Sequence, residues 1–344
     1  MDRKNRQWLL AKRPSGLVSE GDFRFVETAA PALEDGEALI RNLYLSCDPT
    51  QRGWIAGDTY LPAVKIGEVV RSFAVGEIVE SRHPKLQVGQ LAQGLFGWQD
   101  YAVARPGTPT APGPVPPGVS IETAMSALGL TGLTAYFGLL EVGRPKAGET
   151  VVVSGAAGAT GSAVGQIAKL HGCRAIGVAG GADKCRYLTT ELGFDAAIDY
   201  KSEDLYARLK ELCPKGIDVF FDNVGGEILD AALSRLAMRG RVVLCGAISR
   251  YSDTQVAPGP KNYGNLIVQR GRMEGFIILD YLPRAGEAVA ALSGWLRDGK
   301  LKDRVDVAHG LENAPAALQR LFKGENAGKQ LVKIAERAKE GTLA

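Results

Sequence analysis

The sequence predicts an α/β chain in which a module of short strands precedes a doubly wound parallel sheet able to hold a dinucleotide. Three observations predict it. Thr150 to Gly172 joins an apolar run to a glycine-rich turn and an amphipathic helix. Strand and helix patterns alternate beyond that point. Roughly the first hundred residues are short β-like runs separated by Gly, Pro and Asp turns.

A chain of 344 residues, 45% of them hydrophobic, can bury a large core and is long enough for two domains. The formal charge is only +3, and no basic cluster is interleaved with aromatics. This argues against nucleic acid or a membrane surface as partner and for a small molecule. No apolar stretch is long enough to span a bilayer. The opening MDRKNRQWLLAKRP breaks its apolar run at Ala11, too early for a signal-peptide core. Five cysteines, scattered and odd in number, fit a reduced cytosolic setting better than a disulfide framework.

Within the β-rich module, Glu37–Tyr44 and Glu77–Ser81 read as strands. Arg105–Ser120 is dense in proline and glycine and reads as an extended connection at a domain boundary. Residues 1–120 and 300–344 are assigned to the β-rich domain and 121–299 to the nucleotide domain. The run Val151, Val152, Val153 suits a strand buried on both faces of a parallel sheet. Gly155, Gly158 and Gly161 allow φ > 0 and let the backbone approach a pyrophosphate, which the next helix, starting near Thr160, stabilises. Ala156 stands where the G-x-G-x-x-G fingerprint has its first glycine, so the motif is partial.

Further strands are expected at Ala175–Ala179, Ala196–Asp199, Asp218–Asp222, Arg241–Cys245 and Met273–Leu279. Helices are expected at Lys184–Leu192 and Glu227–Met238, the latter stopped by Gly240. Gly180 and Gly181 end the second strand of the nucleotide domain, where a carboxylate would bind a ribose hydroxyl and favour NAD. Asp183, a rival for that role, reads as a helix N-cap.

Seven segments, LSCDPTQRGW, AAGATGSAVGQIAKLHGC, AGGADKC, FDNVGG, CGAISRYS, RMEGFIILDY and GENAGK, resemble in order the blocks of one family. It is the zinc-free medium-chain dehydrogenase/reductases that include leukotriene B4 dehydrogenases, prostaglandin reductases and alkenal reductases. The resemblance implies a GroES-like β-rich catalytic domain, a Rossmann domain and a homodimer in which the Met273–Leu279 strand could pair with its twin, the sequence leaving open a monomer whose edge strand is covered by a loop. It also implies NADPH-dependent reduction of a carbon-carbon double bond conjugated to a carbonyl.

For the cofactor, the resemblance implies contacts from Gly155, Ala157, Gly158, Ala159, Thr160, Gly161, Gly180, Cys245, Gly246 and Phe276. Lys184 and Tyr200 would meet the 2′-phosphate, while Asn223 and Asn326 would lie beside the cofactor, Asn326 on its nicotinamide half. Zinc relatives carry Gly-His-Glu where this chain reads Ile66, Gly67, Glu68, and the histidines are only His83, His171 and His309. No convergent ligand set for zinc is therefore expected. Cys47 and His171 read as a buried apolar thiol and a helix-end residue.

Without a metal, a hydroxyl must stabilise the charge that appears on the substrate oxygen. Tyr251 resembles the family tyrosine near the substrate carbonyl and is the expected electrophilic stabiliser, because a protonated phenol donates to an enolate without being consumed. Tyr60 is the second catalytic candidate, placed by the resemblance at the substrate mouth. Tyr281, Pro49 and Arg52 are expected to line the substrate pocket, and Thr50 and Gln51 replace the family's Tyr-Met. Two other functions fit the same fold, a zinc-free quinone oxidoreductase and a noncatalytic NADPH-binding sensor. Gln255–Tyr263 reads equally as a lid or a plain loop.

Overall fold

In the computed structural model, residues 3–337 are described, and the chain divides into two units. Unit 1 takes the chain up to Met125, Asp306–Asn326 and the residues from Gln330 on; unit 2 takes Ser126–Val305 and Ala327–Lys329.

In unit 1, β1 (Lys4–Leu10) pairs antiparallel with β2 (Phe23–Ala29). The central strand β3 (Ala38–Ser46) is buried at almost every position, as a strand covered on both faces must be. It runs into the short helix α1 (Thr50–Ala56). Next come β4 (Ala74–Ser81), β5 (Leu91–Gly94), β6 (Tyr101–Ala104), β7 (Gly113–Pro114) and α2 (Ile121–Met125). The proline-rich stretch is thus not wholly a connection, because Gly113 and Pro114 pair with β5 at the sheet edge, where a missing proline N–H costs nothing.

Unit 2 continues with α3 (Leu130–Phe137), β8 (Thr150–Ser154), α4 (Ala159–Leu170), β9 (Arg174–Ala179), α5 (Ala182–Thr190), β10 (Ala196–Asp199), α6 (Leu205–Leu212) and β11 (Ile217–Asp222). Then come α7 (Gly226–Leu233), β12 (Leu236–Leu244), α8 (Asn265–Val268), β13 (Arg272–Gly275) and α9 (Ala285–Arg297). Six strands form a parallel sheet in the order β10-β9-β8-β11-β12-β13. The order reverses between β8 and β11, and ligands of such sheets bind outside the strand ends at that switch point.

Three sequence expectations are corrected here. The helix expected to reach Met238 ends at Leu233, and Leu236 already pairs with Ile217 in β12. Gly240 lies inside that strand rather than at a helix stop; a Cβ there would stand 2.9 Å from the Ile217 carbonyl oxygen, so the residue permits close strand approach at a register shift. The last strand stops at Gly275 instead of Leu279, because Ile278–Arg284 turn into a 3-10 helix.

The chain returns through β14 (Val305–His309), α10 (Ala314–Lys323) and β15 (Lys329–Lys333). α10 starts with proline in its first turn and stops at Gly324, whose φ of +66° is the left-handed cap that glycine adopts without steric cost. β15 pairs antiparallel with β3, so this late strand is built into the first module's sheet.

Candidate active site

The turn after β8 fits a pyrophosphate. Gly155 has φ +59°, and Gly161 is helical but crowded, since a Cβ on it would stand 2.4 Å from the Gly155 carbonyl oxygen. Gly158 has φ −80° and serves as the N-cap of α4. Of the three glycines, each of which allows positive φ, only Gly155 adopts it, and close approach explains Gly161. Ala156 is tolerated in the turn because its N–H donates to the Val178 oxygen (3.1 Å) and Gly177 leaves room beside it. No side chain caps α4, so the amides of its first turn, at Ala159, Thr160 and Gly161, are presented to an anion. Ala157 is buried beneath the turn, and Gly158 forms a bridge with Gly328.

β9 ends at Ala179 without a carboxylate, and the following Gly180 is tightly packed. A Cβ there would meet Lys201 Cε at 2.9 Å and the Tyr200 ring at 3.0 Å. Asp199 accepts from the N–H groups of Gly181 (2.7 Å) and Lys201 (3.1 Å) and from the Ser202 hydroxyl (2.9 Å). Those bonds, the Gly181 amide first, hold its carboxyl below the usual range. Asp183 is not the N-cap of α5; Gly181 is, with φ +102°, and Asp183 pairs with Arg186 one turn on. Lys184 lies in the first turn of α5. This end of the cradle therefore carries cations and an aromatic ring, a donor set that fits a 2′-phosphate. Lys201, which reads in the sequence as one more surface lysine, is brought against Gly180.

At the switch point, Asp222 ends β11 and is fully buried. Its Oδ1 accepts from Ser154 Oγ (2.7 Å), Val224 N (3.1 Å) and Gly225 N (3.0 Å). Ser154 in turn accepts from the Asn223 N–H at Oγ (2.8 Å) and from Asn223 Nδ2 at its carbonyl (2.7 Å). Asn223 is thereby locked in orientation, with its amide nitrogen used inward. Asp222 Oδ2 has no hydrogen-bond partner, and burial pushes the carboxyl up against the pull of those donors. The sequence reading singled out Asn223 and passed over Asp222, although an aspartate closing a buried Phe-Phe strand before Asn-Val-Gly-Gly is an Asx-turn signal.

After β12, Cys245 and Gly246 donate their N–H groups to the Asp222 carbonyl (2.9 and 3.1 Å). Burial, then the Asp222 charge, pushes the Cys245 thiol up to about 12, so it is not a thiolate at neutral pH. Tyr251 folds back over this loop, its phenol oxygen accepting from Ala247 N at 3.1 Å. A side chain at Gly246 would crowd that phenol at 3.1 Å. Phe276 packs edge-on against Phe221 (6.4 Å) and Tyr281 (6.2 Å), and Tyr281 stacks on Phe137 at 5.0 Å. Asn262 ties the Gln255–Tyr263 segment to Asp230 of α7.

In unit 1, Pro49 is the N-cap of α1, and Tyr60, 44% exposed, hydrogen-bonds Thr50 through its hydroxyl at 2.7 Å. Gln51 is buried and bonds Asp48 N and the Arg71 carbonyl. Arg52, expected to line the substrate pocket, is buried too; its guanidinium donates to the carbonyls of Pro14 and Gly16, latching the amino-terminal loop. Asn326 follows the Gly324 cap of α10. Cys47 is buried, and the His171 ring bonds back to the Ile167 carbonyl at the end of α4. Among the described residues, no three His, Cys, Asp or Glu side chains come together as a metal site.

Comparison with known proteins matches residues 6–111 to the N-terminal domain of oxidoreductases and residues 159–293 to a family described as zinc-binding dehydrogenase. The chain is 41% identical over 339 residues to the NADPH-dependent curcumin reductase of Escherichia coli, covering 97% of this chain and 98% of that one. It is 40% identical over 337 residues to the NADP-dependent 2-alkenal reductase of Nicotiana tabacum, covering 96% and 98%. A crystal structure of CurA from Vibrio vulnificus in complex with NADPH superimposes with a TM-score of 0.90 at 40% identity, covering 96% of this chain and 99% of that one.

Proposed function

The chain belongs to the zinc-free medium-chain dehydrogenase/reductase family of curcumin, alkenal and prostaglandin reductases, and we propose that it reduces the carbon-carbon double bond of α,β-unsaturated aldehydes or ketones. The whole-length likeness to curcumin and 2-alkenal reductases carries this reading. NADPH is the cofactor. Gly155, Gly158 and the first turn of α4 hold its pyrophosphate, and Gly180, Lys184, Tyr200 and Lys201 hold its 2′-phosphate. Ala157, Cys245, Gly246, Phe276 and Asn326 complete the set, with Asn223 fixed by Ser154.

Bound NADPH supplies a hydride for the substrate's β carbon. Tyr251 donates a hydrogen bond to the carbonyl oxygen as charge develops there, keeping its own proton, and the resulting enolate takes up a proton from water at the α carbon. One such oxyanion donor contributes about 2.7–4 kcal/mol. Tyr60, Pro49 and Tyr281 contact the substrate, while Arg52 shapes its site by fixing the loop at Pro14 and Gly16. The enzyme works in the cytosol, where its five free cysteines stay reduced. It is a homodimer joined through the edge strand β13, beside which Ile267 and Val268 are exposed.

The test is incubation with NADPH and a panel of enals, enones and quinones, followed by mass analysis. Gain of two hydrogens with the carbonyl retained supports the reading, and formation of an alcohol overturns it. Sedimentation at several concentrations checks the dimer, which a concentration-independent single-chain mass would refute.

A further inference from the structure

The turn after β11 also holds the loop that follows β12. The carbonyl of Asp222 accepts from the Cys245 and Gly246 N–H groups (2.9 and 3.1 Å), that of Asn223 from Ile248 N–H (3.2 Å), and that of Val224 from Ser249 N–H (3.1 Å). Ser249 adds a side-chain bond, its Oγ donating to the same Val224 oxygen at 2.6 Å. Val224 lies one residue before Gly225, the N-cap of α7, so its carbonyl stands outside the helix ladder and can take both donors.

Two glycines let the turn and the loop come this close. Gly225 has φ +73° and Gly226 φ +59°. A Cβ on the first would stand 3.2 Å from Ala247 Cβ, and on the second 3.0 Å from Ser249 Oγ. The loop then closes on itself, with Arg250 N–H on the Ala247 carbonyl (2.8 Å) and Ala247 N–H on the Tyr251 phenol oxygen (3.1 Å). Asn223, locked by Ser154, belongs to the same turn, so one piece of backbone carries a cofactor residue and fastens the Tyr251 loop.

We propose that Ser249 is a positioning residue whose hydroxyl, fastened to Val224, holds the Tyr251 phenol in register with the cofactor. This rests on the assignment of Tyr251 to the substrate oxygen. An oxyanion donor acts at about 2.7–3.1 Å from the developing charge, and misplacement by about 1 Å costs about 100-fold. Ser249 stands two residues before the tyrosine, so loss of its bond loosens the loop at the end that carries the phenol.

The test is reduction of benzylideneacetone by the full chain with NADPH, in Ser249→Ala, Ser249→Thr, Tyr251→Phe and the double variant Ser249→Ala/Tyr251→Phe. Ser249→Ala should lower kcat about tenfold, with the NADPH dissociation constant by fluorescence titration unchanged, and Ser249→Thr should recover most of the rate. In the Tyr251→Phe background, Ser249→Ala should cost nothing further, which a general loss of structure would not reproduce. A wild-type kcat in Ser249→Ala, or the same loss with and without Tyr251, overturns the proposal, as does a parallel loss of NADPH binding. Should Ser249→Ala not fold, Ser249→Cys, of similar size but a weak donor, carries the same comparison. If Tyr251→Phe is as fast as wild type, or wild type does not reduce the enone, the underlying assignment falls and the proposal with it. If Tyr251→Phe is slow and Ser249→Ala is not, the proposal alone falls.

Discussion

Ser154 Oγ donates to Asp222 Oδ1 across 2.7 Å, joining the C-terminal ends of the two strands between which the sheet order reverses. The register places Val153 beside Phe221, so the next residues meet where a dinucleotide sheet binds its ligand. Ser154→Ala removes this bond and the acceptor for the Asn223 N–H. Each is worth about 0.5–1.5 kcal/mol, so the NADPH dissociation constant should rise on the order of tenfold. Fluorescence titration of the variant checks this, and an unchanged constant would separate the pair from cofactor binding.

Glycine matters at Gly161 for space alone. Gly161→Ala sets a Cβ against the Gly155 carbonyl, which is backbone and cannot swing aside. The variant should lose about 1–3 kcal/mol of stability, with weaker NADPH binding. Gly286→Ala, in α9 with open space around it, should instead gain about 0.5–1 kcal/mol. Thermal melts of both variants test the contrast; a neutral Gly161→Ala would contradict it.

The 2′-phosphate assignment predicts a cofactor split. Lys184→Ala and Lys201→Ala should each raise the KM for NADPH on the order of tenfold while leaving the KM for NADH nearly in place. The NADPH effect should shrink at high salt. Parallel losses with both cofactors would mean that these lysines support the fold rather than the phosphate.

Two carboxyls give opposite pH signatures. Asp199 is held low by the Gly181 amide, so its contribution to stability is present above the ordinary value near about 3.9 and is lost as pH falls through the lower folded value. Asp222 is pushed up by burial, so its contribution falls as pH rises from about 3.9 through its raised folded value. Asp199→Asn should therefore melt with a shallower acid limb than wild type, and Asp222→Asn with less decline on the rising side. Melting temperatures across the acid range decide, and coincident slopes would refute the assignment.

The nucleotide sheet was legible because its strands carry local signals: Val151–Val153 and Asp218–Asp222 are buried runs bounded by turns. The boundary between α7 and β12 was not, since Leu236, Ala237 and Met238 continue a helical pattern and only pairing with Ile217 extends them. Residues singled out by motif, such as Gly155 and Asn223, lie at the ends of β8 and β11, where Asn223 bonds Ser154. The roles of Gln51, Arg52 and Asp222 were hidden, because each depends on a carbonyl or hydroxyl brought from a distant stretch: Arg71, Gly16 and Ser154.

The most direct test of the central claim is reduction of an enone with NADPH deuterated at both nicotinamide C4 positions, in wild type and Tyr251→Phe. The account predicts a single deuterium at the carbon β to an intact carbonyl, and a turnover loss of roughly 100- to 1,000-fold in Tyr251→Phe with the same labelling. Deuterium on the former carbonyl carbon, in an alcohol, would contradict it.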